Sequence, residues 1–326
     1  MKKRILSILL VCCMVLVLLP TTVFANNDGA KAIQLGTSGI SGYDSTNRSY
    51  DYIYFGTWNN STVKWRVLDT KTNMPNAQEG DGFFLLSDAL LGTGAFGGVE
   101  FDYTTPYTND WKGSRGQDWC NGFYTRNLST TEQKAVFATS KSDDPYIDGR
   151  FMGSENILNG DKVFFLSAEE AENSAYGFTD DNARIANYGN SASTWWLRSP
   201  YADFTSSTGL VDGYGRVYDG GVGLGWAARP AFNLNLNSVL FTSAAVGGKP
   251  DGGLTTISEY SGNEWKLTLK DSSRSNFAVT SAAVTAYTNG STVEISYTGA
   301  KTGANEYISA LLVDDNGNPT YYGRSN

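Results

Sequence analysis

With no histidine in its 326 residues, this chain must do any chemistry with carboxylates, cysteine, arginine and aromatic rings. That absence removes Ser-His-Asp and Cys-His catalysis, His-ligated zinc and imidazole proton transfer. The 33 Asp and Glu residues could supply a carboxylate pair for glycan cleavage, which needs two acids about 5 Å or about 6.5–9.5 Å apart. The spacing pairs none of them, so no catalytic residue is singled out. Asp143-Asp144 and Asp180-Asp181 could offer oxygens to Ca²⁺ but read more simply as solvated turns, and no metal site is expected. Cys120 is the one cysteine beyond the apolar N-terminus, so it makes no internal disulfide and reads as a packed small apolar residue. No cofactor is expected either. Gly223-Leu224-Gly225-Trp226-Ala227-Ala228 fits a loose dinucleotide pattern, yet Pro230 stops the helix that would have to follow.

Recognition is better represented than catalysis. From Tyr201 to Ala228 the chain is built mainly from Gly, Tyr, Asp, Ser, Thr and Val, with Phe, Leu and Trp insertions. Tyr supplies large, rigid contact area at low entropic cost, while Ser, Gly and Asp adapt to a partner. Val211 and Val217 flank a Gly-Tyr-Gly turn, which predicts a hairpin. The candidate ligand-binding residues are Tyr201, Asp203, Phe204, Asp212, Tyr214, Arg216, Tyr218, Asp219, Leu224 and Trp226. A Gly-rich loop bundle of fixed sequence is the plainer alternative, since exposed loops favour Gly and Ser anyway.

Two stiff blocks bracket this segment: Trp195-Trp196-Leu197-Arg198-Ser199-Pro200 and Ala228-Arg229-Pro230-Ala231-Phe232-Asn233-Leu234. Over roughly residues 50–245 they resemble an uncharacterised domain family of secreted Gram-positive gut bacterial proteins that carries the same frame. The resemblance implies a C-type-lectin-like fold, with Trp195–Leu197 and Ala231–Leu234 as core strands. Trp195, Trp196, Arg198, Arg229 and Pro230 would then be structural, each arginine buried and paired with a carboxylate. Some members of that family resemble targets of diversity-generating retroelements. Adenine randomisation of an Asn codon cannot reach Lys, Glu, Gln, Met or Trp, and between Tyr201 and Ala228 only Trp226 belongs to that set. Formylglycine-generating enzymes share the implied fold but need paired cysteines, so their activity is not carried over.

Elements must position these residues. Tyr52–Trp58 and Val63–Leu68 read as a strand pair joined through Asn59-Asn60-Ser61, with Val63, Trp65 and Val67 on one face. Phe83–Ser87 reads as a buried strand. Ser129 opens a short helix through a capping box with Glu132, and Trp119, Phe123 and Leu128 stand before it as packing partners. Val163–Ala171 reads as a strand turning into a helix, with Ser167 as cap and Glu170 completing its box; its start echoes Gly82–Asp88. Beyond Gly247, the runs Trp265–Leu269, Thr292–Tyr297 and Tyr307–Val313 alternate like sandwich strands, with a turn at Asp315–Asn318 and a fresh strand at Tyr321-Tyr322.

The expected class is therefore α+β: a C-type-lectin-like domain of short twisted strands, long loops and few helices, followed by an incomplete all-β immunoglobulin-like sandwich. Its segments are a signal peptide (1–25), a flexible leader (26–48), the lectin-like domain (49–246), a linker (247–253) and the sandwich (254–326). Lys2, Lys3 and Arg4, the apolar run Ile5–Leu19 and Val23-Phe24-Ala25 form the secretory signal. Its removal deepens a net charge of −8 by three, and such acidity argues against nucleic acid and anionic membranes. The chain reads as an exported surface binding or adhesion module, not membrane-embedded, taking a protein or glycan ligand. A carboxylate-dependent glycan-active enzyme and a ligand-free surface spacer are the alternatives.

Overall fold

Asn59 and Asn60 turn the chain with φ of 49° and 63°, the left-handed pair that a two-residue hairpin demands and that Asn tolerates. Tyr52–Trp58 and Ser61–Asp69 pair across this turn. In the second of these strands Val63, Trp65 and Val67 are buried, while Lys64 and Arg66 on the opposite face stay partly open. Gly82–Ser87 adds next, buried along its whole length, then Pro230–Asn235, then Phe164–Phe165. The two segments that echo one another in sequence thus flank a single strand: Ala231 faces Leu86 on one side and Phe164 on the other. Trp65 anchors the core from this sheet. Its ring meets Phe232 at 4.7 Å and Phe123 at 5.9 Å, and its Nε1 donates to the Phe55 carbonyl at 2.7 Å.

This chain is given by a computed structural model that describes residues 8–13, 33–37, 39–92, 98–147, 149–153, 157–284, 293–301 and 306–325. It divides into two compact units, Ile40–Leu236 and the combination of Met1–Gly39 with Asn237–Asn326. The first unit holds the sheet just described, a three-stranded sheet of Trp195–Pro200, Ser207–Val211 and Val217–Gly221, and smaller pairs. Among the described residues the α-helices are Arg115–Asn127, Thr130–Ala135, Ala168–Ala171 and Asp181–Arg184. The Ser129 and Ser167 capping boxes both form. The longest helix has no strong signal in the sequence. Gly116 and Gly122 each weaken it by about 1 kcal/mol relative to Ala, but a Cβ at Gly116 would lie only 3.1 Å from the Phe165 ring. Glycine there lets the helix press onto the sheet, so packing outweighs propensity.

The expected fold class is overturned. The chain is mostly β, 43% strand against 13% helix, in several small sheets, and neither a lectin-like domain nor an immunoglobulin-like sandwich is found. Three of the four α-helices run six residues or fewer, too little to form a helical layer of an α+β fold. In the second unit, Tyr307–Val313 pairs with Ile8–Cys13 and Pro319–Ser325, and the latter with Gly252–Thr256. Val239–Ala244 pairs with Gln34–Leu35 and Glu264–Leu269, and Ala278–Val284 with Val293–Thr298. Ile33, Phe241, Leu311 and Tyr322 form its core cluster. The division falls at Leu236–Asn237, and residues 247–253 follow the strand Val239–Ala244 and run into the strand Gly252–Thr256. Part of the expected signal, Ile8–Cys13, is a strand, and the rest, Val23-Phe24-Ala25 included, lies outside the described residues. No helix among the described residues is long and apolar enough to cross a membrane.

Candidate functional site

The Trp195–Pro200 strand is buried throughout and carries the hairpin as its neighbour, Trp195 facing Val211 and Val211 facing Val217. Behind it lies a closed charge cluster. The Arg198 guanidinium donates to Glu170 Oε2 at 2.6 Å, to the Phe165 carbonyl at 2.7 Å and to Asp143. Lys141 Nζ sits 2.7 Å from Asp143 and 2.8 Å from Glu170. Asn73 donates to Glu170 at 2.6 Å and receives Asn233 at 2.6 Å. Two cations therefore balance two carboxylates out of water, which is the condition for tolerating buried charge. Burial alone would raise Glu170, but Arg198 and Lys141 outweigh it and hold the carboxyl far below its usual range. Asp143 is no solvated turn residue, since its carboxylate is the second anion of this cluster.

Arg229 is equally buried and differently served. Its Nε donates to the Ser87 carbonyl at 3.1 Å and its Nη1 reaches the Arg184 carbonyl at 3.4 Å. The guanidinium lies 4.8 Å from the Trp195 ring centroid. No carboxylate among the described residues pairs with it, which corrects the expectation of a partner acid. Burial, with the Arg66 cation adding, pulls Arg229 down to about 9.

The hairpin spreads the ten candidate residues apart. Five residues per strand at about 3.4 Å each separate its turn from its open end by about 14 Å. At the turn, Asp212 accepts from the backbone N–H groups of Tyr214 at 2.9 Å and Arg216 at 3.0 Å, and its other oxygen takes the Arg216 guanidinium. Burial would raise Asp212, and hydrogen bonds from Arg216 and Tyr214 instead hold it below its usual value. Gly215 has φ 86°, a Cβ there would collide with the Asp181 carbonyl, and Arg184 Nε donates to the Gly215 carbonyl at 2.7 Å. Tyr214 projects here, 76% exposed, with the Arg216 guanidinium 5.4 Å from its ring centroid. Tyr218 is exposed midway along the hairpin and Asp219 is half-buried beside it.

The open end gathers more. Asn109 is buried, and its amide nitrogen lies 2.9, 3.1 and 2.7 Å from the carbonyls of Tyr201, Phe204 and Ser207. This side chain pins the loop that carries Asp203 and Phe204, both exposed, with Tyr201 stacked on Phe204 and edge-on to Phe151. Asp102 organises a second loop by accepting from Thr104 Oγ1 at 2.6 Å and from the N–H groups of Tyr103, Thr104 and Thr108. Those bonds overcome burial and lower its pKa. This loop presents Tyr103 and Tyr107, both exposed. A Cβ at Gly223 would lie 3.0 Å from the Tyr107 hydroxyl, so this loop meets the turn at residues 222–224, whose Leu224 is exposed. Trp226 is half-buried and turned inward, its Nε1 3.6 Å from where a Gly220 Cβ would lie.

Beside this rim runs a cleft of about 340 Å³ lined by Gly98, Val99, Glu100, Arg115, Asp118 and Trp119. Gly225-Trp226 pairs with Val99-Glu100, tying the cleft wall to the rim. Arg115 bridges the two features, 2.7 Å from Glu100 and 4.4 Å from the Tyr103 ring centroid. Trp119 stacks on Phe123 behind it. Glu100 and Asp118 are the carboxylates facing this cleft. Glu100 is salt-bridged and its side chain is 44% exposed, whereas a glycosidic acid needs a sheltered carboxyl. Tyr103, Tyr107, Asn109 and Arg115 escaped the sequence reading, which took Trp119 only as a packing partner. The aromatic spacing of Tyr103-Thr104-Thr105-Pro106-Tyr107 is the one local signal that could have drawn attention there.

Residues 81–236 match the family model described as "Domain of unknown function (DUF6273)". The matched span contains both frame strands, the hairpin, both rim loops and the cleft. No curated protein and no solved structure matches the chain.

Proposed function

We propose that the Ile40–Leu236 unit is a binding module of an exported protein, and that it engages a surface protein or glycan at the open end of the hairpin. The observation that carries this reading is the rim of Tyr103, Tyr107, Phe204 and Leu224, exposed by 62%, 47%, 61% and 51%. Phe204 stands on the loop held by Asn109, and Tyr103 and Tyr107 stand on the loop held by Asp102, so little entropy is lost when a partner orders them. Aromatic groups beside a polar cleft suit both sugar faces and protein hot spots. The turn of the hairpin, with Tyr214 and Arg216, is a second and smaller patch. The cleft carboxylates do not favour the glycan-cleaving alternative.

The test is a glycan array and a cell-surface binding panel, run with wild type and two alanine variants. One variant removes Tyr103, Tyr107 and Phe204, and the other removes Tyr214 and Tyr218. Loss of binding in the first with retention in the second is the expected outcome. Binding by wild type that survives both variants would sink the assignment. The retroelement reading is supported by a buried frame bracketing exposed Asp203, Phe204, Tyr214, Arg216, Tyr218 and Leu224. It predicts codon variation confined between Pro200 and Ala228 among sibling isolates, whereas uniform codons would leave a binder of fixed specificity.

A further inference from the structure

Arg229 poses a problem that its hydrogen-bond partners do not solve. Its side chain is fully buried, Nη2 has no hydrogen-bond acceptor among the described residues, and the charged side chains that act on it leave an excess positive charge. Those side chains are Arg66 and Asp88, which pair with each other at 2.7 Å. A buried cation without a counter-charge is costly. Two further donors without partners sit on the residues that Arg229 touches. Ser87, whose carbonyl takes Arg229 Nε, has an unpartnered buried Oγ, and Trp195, against whose ring the guanidinium lies, has an unpartnered buried Nε1. Ser87, Trp195 and Arg229 are each 0% exposed.

We propose that Arg229, Ser87 and Trp195 bind a small monovalent anion, of which chloride is the ordinary representative, inside the Ile40–Leu236 unit. All three orphan groups can donate, namely a guanidinium N–H, a hydroxyl and an indole N–H. A water accepting from them would bring two hydrogens needing acceptors of their own, and would leave the charge unbalanced. A halide accepts from every side, brings no hydrogens and supplies the missing negative charge. The site lies apart from the aromatic rim and does not depend on the binding reading.

The test is to purify and crystallise the protein with bromide replacing chloride throughout, and to collect data at the bromine absorption edge. The expected result is an anomalous peak within about 3.5 Å of Arg229 Nη2, a usual charge-assisted donor range for a large anion. In solution, thermal unfolding in sodium chloride and in sodium gluconate at equal ionic strength should differ by several degrees, with chloride stabilising. Arg229→Met should abolish that salt difference if it folds, and the wild-type measurements decide the matter if it does not. A water in place of the peak, or identical melting in the two salts, overturns the proposal.

Discussion

Arg198 and Arg229 lie in the two halves of one sequence frame and are equally buried, yet the molecule accommodates them by opposite means. Arg198 is enclosed by the carboxylates of Asp143 and Glu170, with Lys141 completing a balanced cluster. Arg229 receives two backbone carbonyls and an indole face. Burial alone therefore does not say how a charge is held. The first arrangement ties several chain segments together by charge, so removing any one member strands the others. The second asks little of its neighbours and leaves a cation that something else must balance.

Five substitutions and one pH series would break or sharpen this contrast. Arg198→Met should be the most damaging, lowering stability by about 3–5 kcal/mol because Asp143 and Glu170 are left with only Lys141; chemical denaturation measures it. Glu170→Gln should cost nearly as much at neutral pH, and the gap to wild type should narrow with acid. The folded Glu170 carboxyl lies below its unfolded value of about 4.3. Its stabilisation is therefore complete above that pH and is lost as pH falls toward the folded value. Melting curves from pH 7 to pH 3 would show the convergence, and a constant gap would mean the cluster is not ionic. Arg229→Met should cost less, about 1–2 kcal/mol, since only carbonyl acceptors are orphaned. If it matched Arg198→Met, the contrast would fail. Asn109→Ala should lose about 1–2 kcal/mol and loosen the Tyr201–Ser207 loop, seen as faster amide exchange there. Tyr214→Ala should change stability by no more than about 0.5 kcal/mol, because its ring is 76% exposed.

Much of the local architecture is legible in the sequence. The Asn59-Asn60 hairpin, the buried Val63-Trp65-Val67 face, both capping boxes and the Val211–Val217 hairpin follow from period, turn chemistry and side-chain reach over a few residues. The helix Arg115–Asn127 was not legible, because its two glycines lower its intrinsic helicity and one of them, Gly116, serves a contact with Phe101 and Phe165 made far along the chain. The site was legible in half. Residues 201–226 announce themselves by composition, but the hairpin sends them to two ends, and Asp212 is occupied by Arg216. Tyr103, Tyr107 and the Glu100–Trp119 cleft join the open end only through strand pairing and loop contact far apart in the chain.

By itself, then, the sequence determined what this chemistry lacks and where the chain turns, pairs locally and buries its frame. An absent histidine or a Ser-x-x-Glu cap acts within its own few residues and needs no distant partner. Tertiary structure alone decided that the capping residue Glu170 also neutralises Arg198, that Arg229 pairs with no acid among the described residues, and that the unit ends at Leu236. Those outcomes depend on which distant groups arrive within about 3 Å of a side chain, a distance that spacing along the chain does not encode.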